Sequence, residues 1–535
     1  MEIALCSTRI LTGDPARPWA EALLVRDDRV VAVGSNDEVR AICSRAAQVF
    51  DLPGRLVTPG LVDAHLHFVG LGLSLQRLNL RDLPSIEACR QRVREAVAKR
   101  TPGEWIIGRG WSEDLWQERR ESAARDLDDI APHHPVMLVR HCGHTVWVNS
   151  LALAKAHITK DTADAPGTRI ERDPRTGEPT GLLREFRPII EKAIPPPSLG
   201  ERKRAALLAQ GEALRHGVTG VHSCETLQEW VALAELEAEK KLKVRVHHLL
   251  PPEEVEAARA RGIALGKGSE RLWFGQVKFF ADGSLGSGTA LLHAAYADDP
   301  SHAGIACLSP EELRERVELA YRNGGDVGVH AIGDLAVTHV LNAIAAARGR
   351  FPGPWRDRIE HVQLFHPDDL RRFCDLGVVA SVQPVHLLTD RPIAEKRWGL
   401  TRCRHAYAWR SLLRSGIRLQ FGSDAPVEPI NPLLSFHAAL TRQDLSGEPS
   451  EGWFPDERLR LEEVIHAFTR VPAWVSRKEN DLGSLGPGRK ADLVVFAEDL
   501  FQMPPGQVFS VPVEMTMVDG EVLFDAHKGL CVSGE

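Results

Sequence analysis

The chain has 535 residues, of which 43% are apolar and 26% charged, with a formal net charge of −7 and a pI near 6.4. This is globular material, long enough for a large barrel plus a smaller domain. It lacks the basic field that nucleic acid or an anionic membrane attracts, so neither is expected as a partner.

The start, Met1-Glu2-Ile3-Ala4-Leu5-Cys6, has no basic stretch leading into an apolar one, and no run of about 18 apolar residues follows, so a cytoplasmic protein is expected. Nine cysteines are scattered without close pairs, which reads as reduced core residues rather than a disulfide framework or a zinc ribbon.

Residues 2–11, 20–26 and 29–33 are short β-rich runs, with Asp27-Asp28 as a tight turn between the last two. The far end mirrors them: 491–496 reads as a strand, and 513–518 and 521–524 flank Asp519-Gly520, a two-residue hairpin signal. One small β-sandwich built from both termini (1–57 and 483–535) around a larger inserted domain (58–482) is the economical arrangement.

In the middle, β-like and helical runs alternate, which predicts parallel βα units. The strands fall at 61–66, 218–223, 244–249, 275–281, 326–331, 358–363, 378–384 and 418–424. Eight is the number that closes a TIM (β/α)8 barrel. Ser309-Pro310-Glu311-Glu312 opens one outer helix with a cap, a proline and a capping-box glutamate, and Leu313, Val317, Ala320 and Tyr321 supply its apolar stripe. A second helix begins near Pro367 and ends at Gly377. Roughly 150 residues separate the first two strands, far beyond what a crossover needs, so 68–215 contains an insertion. It leaves the barrel at the end where such enzymes keep their active sites, which predicts a lid. Trp105, Trp111, Trp116 and Trp147 lie in it as candidate pocket residues, or as the packing of the insertion's own core.

The first barrel strand belongs to Pro59-Gly60-Leu61-Val62-Asp63-Ala64-His65-Leu66-His67. Residues i and i+2 of a strand share a face, so the two imidazoles would stand side by side as half a metal site. Taken alone, such a pair does not decide between ligands and a core strand. Other strand ends decide it: Lys278 lies within the fourth, His330 ends the fifth, Glu360-His361 the sixth, and Gly422-Ser423-Asp424 the eighth. Independent accidents would not all choose the same rim, and metal binding is the expectation. An ordinary lysine, with a pKa of about 10.4, would repel a cation, so Lys278 must be modified, strongly depressed or outside the ligand set.

With these residues in view, the chain resembles the amidohydrolase superfamily, in particular the subgroup that contains N-substituted formamide deformylase. The likeness runs through Pro59 to His67, Lys278 followed by Asp282-Gly283 and Thr289-Ala290, His330 to Asp334, Glu360-His361, Gly422 to Ala425, and Gly483 to Leu493. It implies one or two divalent metal ions, with zinc the expected one. His65 and His67 would bind one, His330 and His361 the other, with a carboxylated Lys278 as bridge and Asp424 as ligand and proton shuttle. Inside the insertion, His144-Thr145-Val146-Trp147-Val148-Asn149 and Gly177 to Glu185 are similar to subgroup motifs; Asn149 and Glu185 read as structural. His144, Trp111, His386 and Asp282 are the candidate substrate contacts.

The chemistry so implied is hydrolysis of a non-peptide carbon–nitrogen bond, such as that of an N-formyl or N-acyl amine, by a metal-activated hydroxide. Cyclic amides present the same electrophile. A mononuclear deaminase on the same barrel is the competing class, against which Lys278 speaks, and a non-catalytic binding protein would be expected to have lost some of these residues. The expected partner is a small amide, and a homodimer is the assembly left open.

Overall fold

A computed structural model describes residues 1–140, 145–164, 168–185 and 187–530. The chain divides into two compact units, Met1–Gly72 with Arg202–Glu535, and Leu73–Glu201.

The larger unit contains eight parallel strands in one sheet: β1 (Leu61–Leu66), β2 (Val218–Cys224), β3 (Arg245–Leu250), β4 (Leu272–Phe280), β5 (Asp326–Ala331), β6 (Arg358–His361), β7 (Val379–Val382) and β8 (Leu419–Phe421), neighbours in that order. The eight expected strands are present with ends shifted by a few residues. Every residue of β2, β3, β6, β7 and β8 is buried, as strands covered on both faces require. The helix Pro310–Arg322 carries the expected capping box, in which Ser309 accepts from the Glu312 amide, and it buries Leu313, Val317, Ala320 and Tyr321. The helix Asp369–Leu376 ends at Gly377 with φ 60°, a left-handed cap that glycine adopts without steric cost.

The barrel sheet is nearly closed. Beyond the last residue of β8, the Asp424 amide donates to the His65 carbonyl at 2.7 Å and the His67 amide to the Ala425 carbonyl at 2.8 Å. Gly422 permits this approach, because a Cβ there would lie 2.5 Å from the His65 backbone nitrogen.

Strands from both chain ends share a seven-stranded sheet, in which Leu493–Phe496 runs antiparallel to Leu56–Pro59. A four-stranded sheet of N-terminal strands faces it, and Leu5, Leu23, Val57, Leu493, Val495 and Met517 interleave in one core. Val518 pairs with Glu521 across the expected hairpin, where Asp519 and Gly520 take φ 50° and 72°, the positive pair a two-residue turn needs. Arg245, at the start of β3, pairs with Asp519 of this hairpin at 2.5 Å and with Asp492, just ahead of the strand Leu493–Phe496, at 2.6 Å.

The unit Leu73–Glu201 has its own six-stranded sheet with Val136–Arg140 and Ile106–Trp111 in its interior. Trp111, Trp116 and Trp147 pack on one another there, with centroids 5.3 to 6.0 Å apart, among Leu80, Val93 and Leu138. Asn149 caps the helix Ser150–Lys155 and also takes the Val136 amide at 2.9 Å, the structural role expected of it. Among the described residues, no helix is long and apolar enough to cross a membrane.

Candidate metal centre

The end of β1 delivers the two histidines, and each is oriented by what its Nδ1 meets. His65 Nδ1 lies 2.7 Å from Glu360 Oε2, and His67 Nδ1 lies 2.8 Å from the Cys224 carbonyl. Both partners only accept, so each Nδ1 carries a proton and each Nε2 is turned to the other side. There the two Nε2 atoms meet one oxygen, Asp424 Oδ1, at 3.4 Å and 3.5 Å. The three donor atoms lie within 4.8 Å of one another, the spacing of ligands around a single cation. Asp63 ties this corner together by accepting the His65 amide at 3.2 Å and the Ser423 amide at 3.0 Å; burial pushes its carboxyl up to about 6.

The electrostatics favour positive charge at that point. Burial opposes charging His65, yet Cys224, Glu360 and Asp424 outweigh it and hold its pKa well above the usual imidazole range. Burial likewise opposes ionising Asp424, and hydrogen bonds from His65 and His67 override it, keeping the carboxyl well below its usual range. A site that attracts a proton between two imidazoles and a carboxylate attracts a divalent cation for the same reason.

The other rim residues surround this cluster. The His361 ring sits 4.9 Å from that of His65 and 4.5 Å from that of His330. Its Nδ1 is fixed by Gln383 Oε1 at 2.8 Å, while His330 Nε2 donates to the Gly283 carbonyl at 2.9 Å. Burial lowers both pKa values, His330 to about 3 with help from the Lys278 charge, so both imidazoles are neutral and able to bind metal. Lys278 is 6% exposed, with its Nζ 3.9 Å above the Phe280 ring, and burial lowers its pKa.

The substrate candidates separate. His386 reaches the centre, its Nε2 3.9 Å from Asp424 Oδ2 and without a hydrogen-bond partner among the described residues. Asp282 does not offer itself to a substrate: it is 1% exposed and accepts the amides of Leu291, Ile332 and Gly333, thereby joining the loops that follow β4 and β5. Trp111 also differs from expectation. It is 1% exposed in the core of the Leu73–Glu201 unit, where its indole N–H donates to the Leu138 carbonyl at 2.8 Å. His144 lies outside the described residues.

Sequence reasoning missed the support behind His65. Arg358 Nε lies 2.6 Å from Glu360 Oε1, and neither side chain is exposed at all. The same guanidinium donates to the Ala64 carbonyl at 3.0 Å and to His222 Nδ1 at 2.8 Å. Burial would raise the pKa of Glu360, but Arg358 and His65 hold it near about 2, so a fixed negative charge backs the histidine. The available signal was Arg358-x-Glu360, opposite charges sharing one face of a buried strand. Glu360→Gln keeps the shape and removes the charge. Metal affinity is expected to fall about 10- to 100-fold, measured by competition with a chelator, and unchanged affinity would remove Glu360 from the centre.

A parallel eight-stranded barrel with histidines and a carboxylate converging on the C-terminal rim is the architecture of a metal-dependent hydrolase. The chain belongs to the amidohydrolase family, whose sequence model matches residues 48–524. It is 33% identical to the putative amidohydrolase YtcJ of Bacillus subtilis over 94% of its own length and 96% of the relative's. To the N-substituted formamide deformylase of Arthrobacter pascens it is 25% identical, over 98% of both chains. Among solved structures, an uncharacterized metal-dependent hydrolase from Pyrococcus furiosus superposes with a TM-score of 0.77 at 32% identity, covering 93% of this chain and 99% of that one.

Proposed function

We propose that this hydrolase cleaves the carbon–nitrogen bond of a small non-peptide amide, of the N-formyl or N-acyl amine type. The observation that carries the reading is the convergence of His65 Nε2, His67 Nε2 and Asp424 Oδ1 on one point of the barrel rim. The full-length likeness to a formamide deformylase supports the substrate class. Imidazole and carboxylate donors suit zinc. A divalent cation bound there supplies Lewis acidity, which lowers the pKa of water and polarises a carbonyl. Asp424, ionised and beside that position, accepts the proton of the attacking water and returns it to the departing nitrogen. His386 stands on the other carboxylate oxygen, placed to steady the same proton.

Lys278 enters this reading as a carbamate. Burial depresses its ammonium, and the neutral amine is the form that adds carbon dioxide and sheds a proton to give a carbamate anion, whose oxygens would serve as metal ligands beside His330 and His361. Lys278→Ala is expected to lose metal and activity together, with part of both restored by short carboxylic acids; full metal content in that variant would exclude the lysine.

Metal analysis combined with a turnover screen of N-formyl and N-acyl amines tests the function. Metal-dependent release of free amine is expected. Ammonia released from amino-heterocycles, with no amide turned over, would replace the reading with a deaminase.

A further inference from the structure

His386 sits in the single turn Pro384–His386 that follows β7, and its Nε2 lies 3.9 Å from Asp424 Oδ2. Its other ring nitrogen, Nδ1, is met from behind by the Gln363 amide nitrogen at 3.2 Å. Both side chains are buried. Whether His386 can give a proton or take one depends on which ring nitrogen carries it, and residues outside the metal centre make that choice.

The choice is made at Asp390, on the helix Leu387–Trp398. Its Oδ2 accepts the Tyr407 hydroxyl at 2.7 Å and the Gln363 amide nitrogen at 3.4 Å. A carboxylate oxygen only accepts, so the end of the Gln363 side chain turned toward it is the NH2 and not the carbonyl. An amide turned over would set its oxygen against the Asp390 carboxylate, two acceptors with no proton between them. The backbone holds the same corner, since the Tyr407 amide donates to the Gln363 carbonyl at 2.8 Å.

The Gln363 NH2 has two N–H groups, one for Asp390 and one for His386 Nδ1. A ring nitrogen that meets an N–H donor is bare, and a neutral imidazole bare at Nδ1 carries its proton on Nε2. That nitrogen has no hydrogen-bond partner among the described residues, and burial withholds it from water. Asp424 Oδ2 is the acceptor on that side, and closing the gap from 3.9 Å to a hydrogen bond takes a shift of about 1 Å.

We infer that Gln363, Asp390 and Tyr407 are positioning residues that keep the His386 proton on Nε2, so that His386 serves Asp424 as a hydrogen-bond donor and not as a base. The inference rests on the hydrolytic role proposed for Asp424. With Oδ1 turned to His65 and His67, Oδ2 is the oxygen left to carry a proton from water to nitrogen. A donor on Oδ2 holds the carboxylate in one rotation while its second lone pair does that work.

Neutron diffraction from a crystal of the metal-loaded full chain, exchanged into heavy water, reads the tautomer directly. Deuterium on His386 Nε2 and none on Nδ1 is expected; deuterium on Nδ1 overturns the inference. No substrate enters this measurement, so it is separate from the hydrolytic reading, which fails if no amide is turned over. Kinetics on an authentic amide tests the role. Asp390→Leu leaves Gln363 without its anchor, and Gln363→Glu sets an acceptor against Nδ1 and draws the proton there. Each is expected to lose about 10- to 100-fold in kcat while KM, metal content and melting temperature hold. Asp390→Asn, whose side-chain carbonyl still accepts, should keep most of the parent rate. Parent kcat in both Asp390→Leu and Gln363→Glu, or metal lost together with activity, overturns the inference. So does near-normal turnover in Asp424→Asn, which would need a bare Nε2 on His386. Should Gln363→Glu fail to fold, the two Asp390 variants decide.

Discussion

Asp424→Asn is expected to retain its metal and to lose roughly 10²- to 10⁴-fold in kcat, the usual contribution of a general acid–base group. The substitution keeps the side-chain shape and one oxygen directed at His65 Nε2 and His67 Nε2, which lie 3.4 Å and 3.5 Å from Oδ1 in the parent. What it removes is the ability to take a proton. His65 and His67 keep the parent carboxyl ionised through the neutral range, so it begins each turnover as a base. Steady-state kinetics on an authentic amide, with metal content measured on the same preparation, checks the result. Near-normal turnover would transfer the role to His386, whose Nε2 lies 3.9 Å from Oδ2.

Arg358→Met is expected to cost about 3–5 kcal/mol of folding stability, because removing one member of a buried pair strands the other charge. Arg358 and Glu360 are both fully buried and 2.6 Å apart, and the arginine also donates to the Ala64 carbonyl and to His222. After its removal, Glu360 keeps His65 as its hydrogen-bond partner among the described residues. Adding Glu360→Gln to Arg358→Met takes away the stranded charge and should recover much of the loss. Urea unfolding of the two single variants and the double variant gives the coupling directly. A loss below about 1 kcal/mol in Arg358→Met would mean that water reaches this part of the barrel and screens the pair.

The barrel was legible in the sequence because its signals are local. Strands buried on both faces read as apolar runs, and a cap such as Ser309 with Glu312 is written within four residues. The histidine pair on β1 was legible because a two-residue spacing fixes a shared face. The group that orients His65 was not, since Glu360 lies 295 positions away in the chain and meets it across the barrel. The same holds for the amides that occupy Asp282, which come from loops after other strands. Trp111 misled for a related reason. An aromatic residue in an insertion looks alike whether it lines a pocket or packs a core, and only the arrival of Trp116 and Trp147 decides.

The seam between β8 and β1 makes catalytic assembly and chain closure one event. Ser423 and Asp63, which meet there at 3.0 Å, are 360 residues apart, so their contact closes a long loop. The entropy of closing a loop grows slowly with its length, but contacts between such distant segments form late in folding. A cation gripped by His65 and His67 on one strand and Asp424 on the other would act as a clasp on that late contact. Stripping the metal should therefore loosen the protein locally before it unfolds globally, and the amides of His67 and Asp424 are the ones whose hydrogen exchange would quicken first.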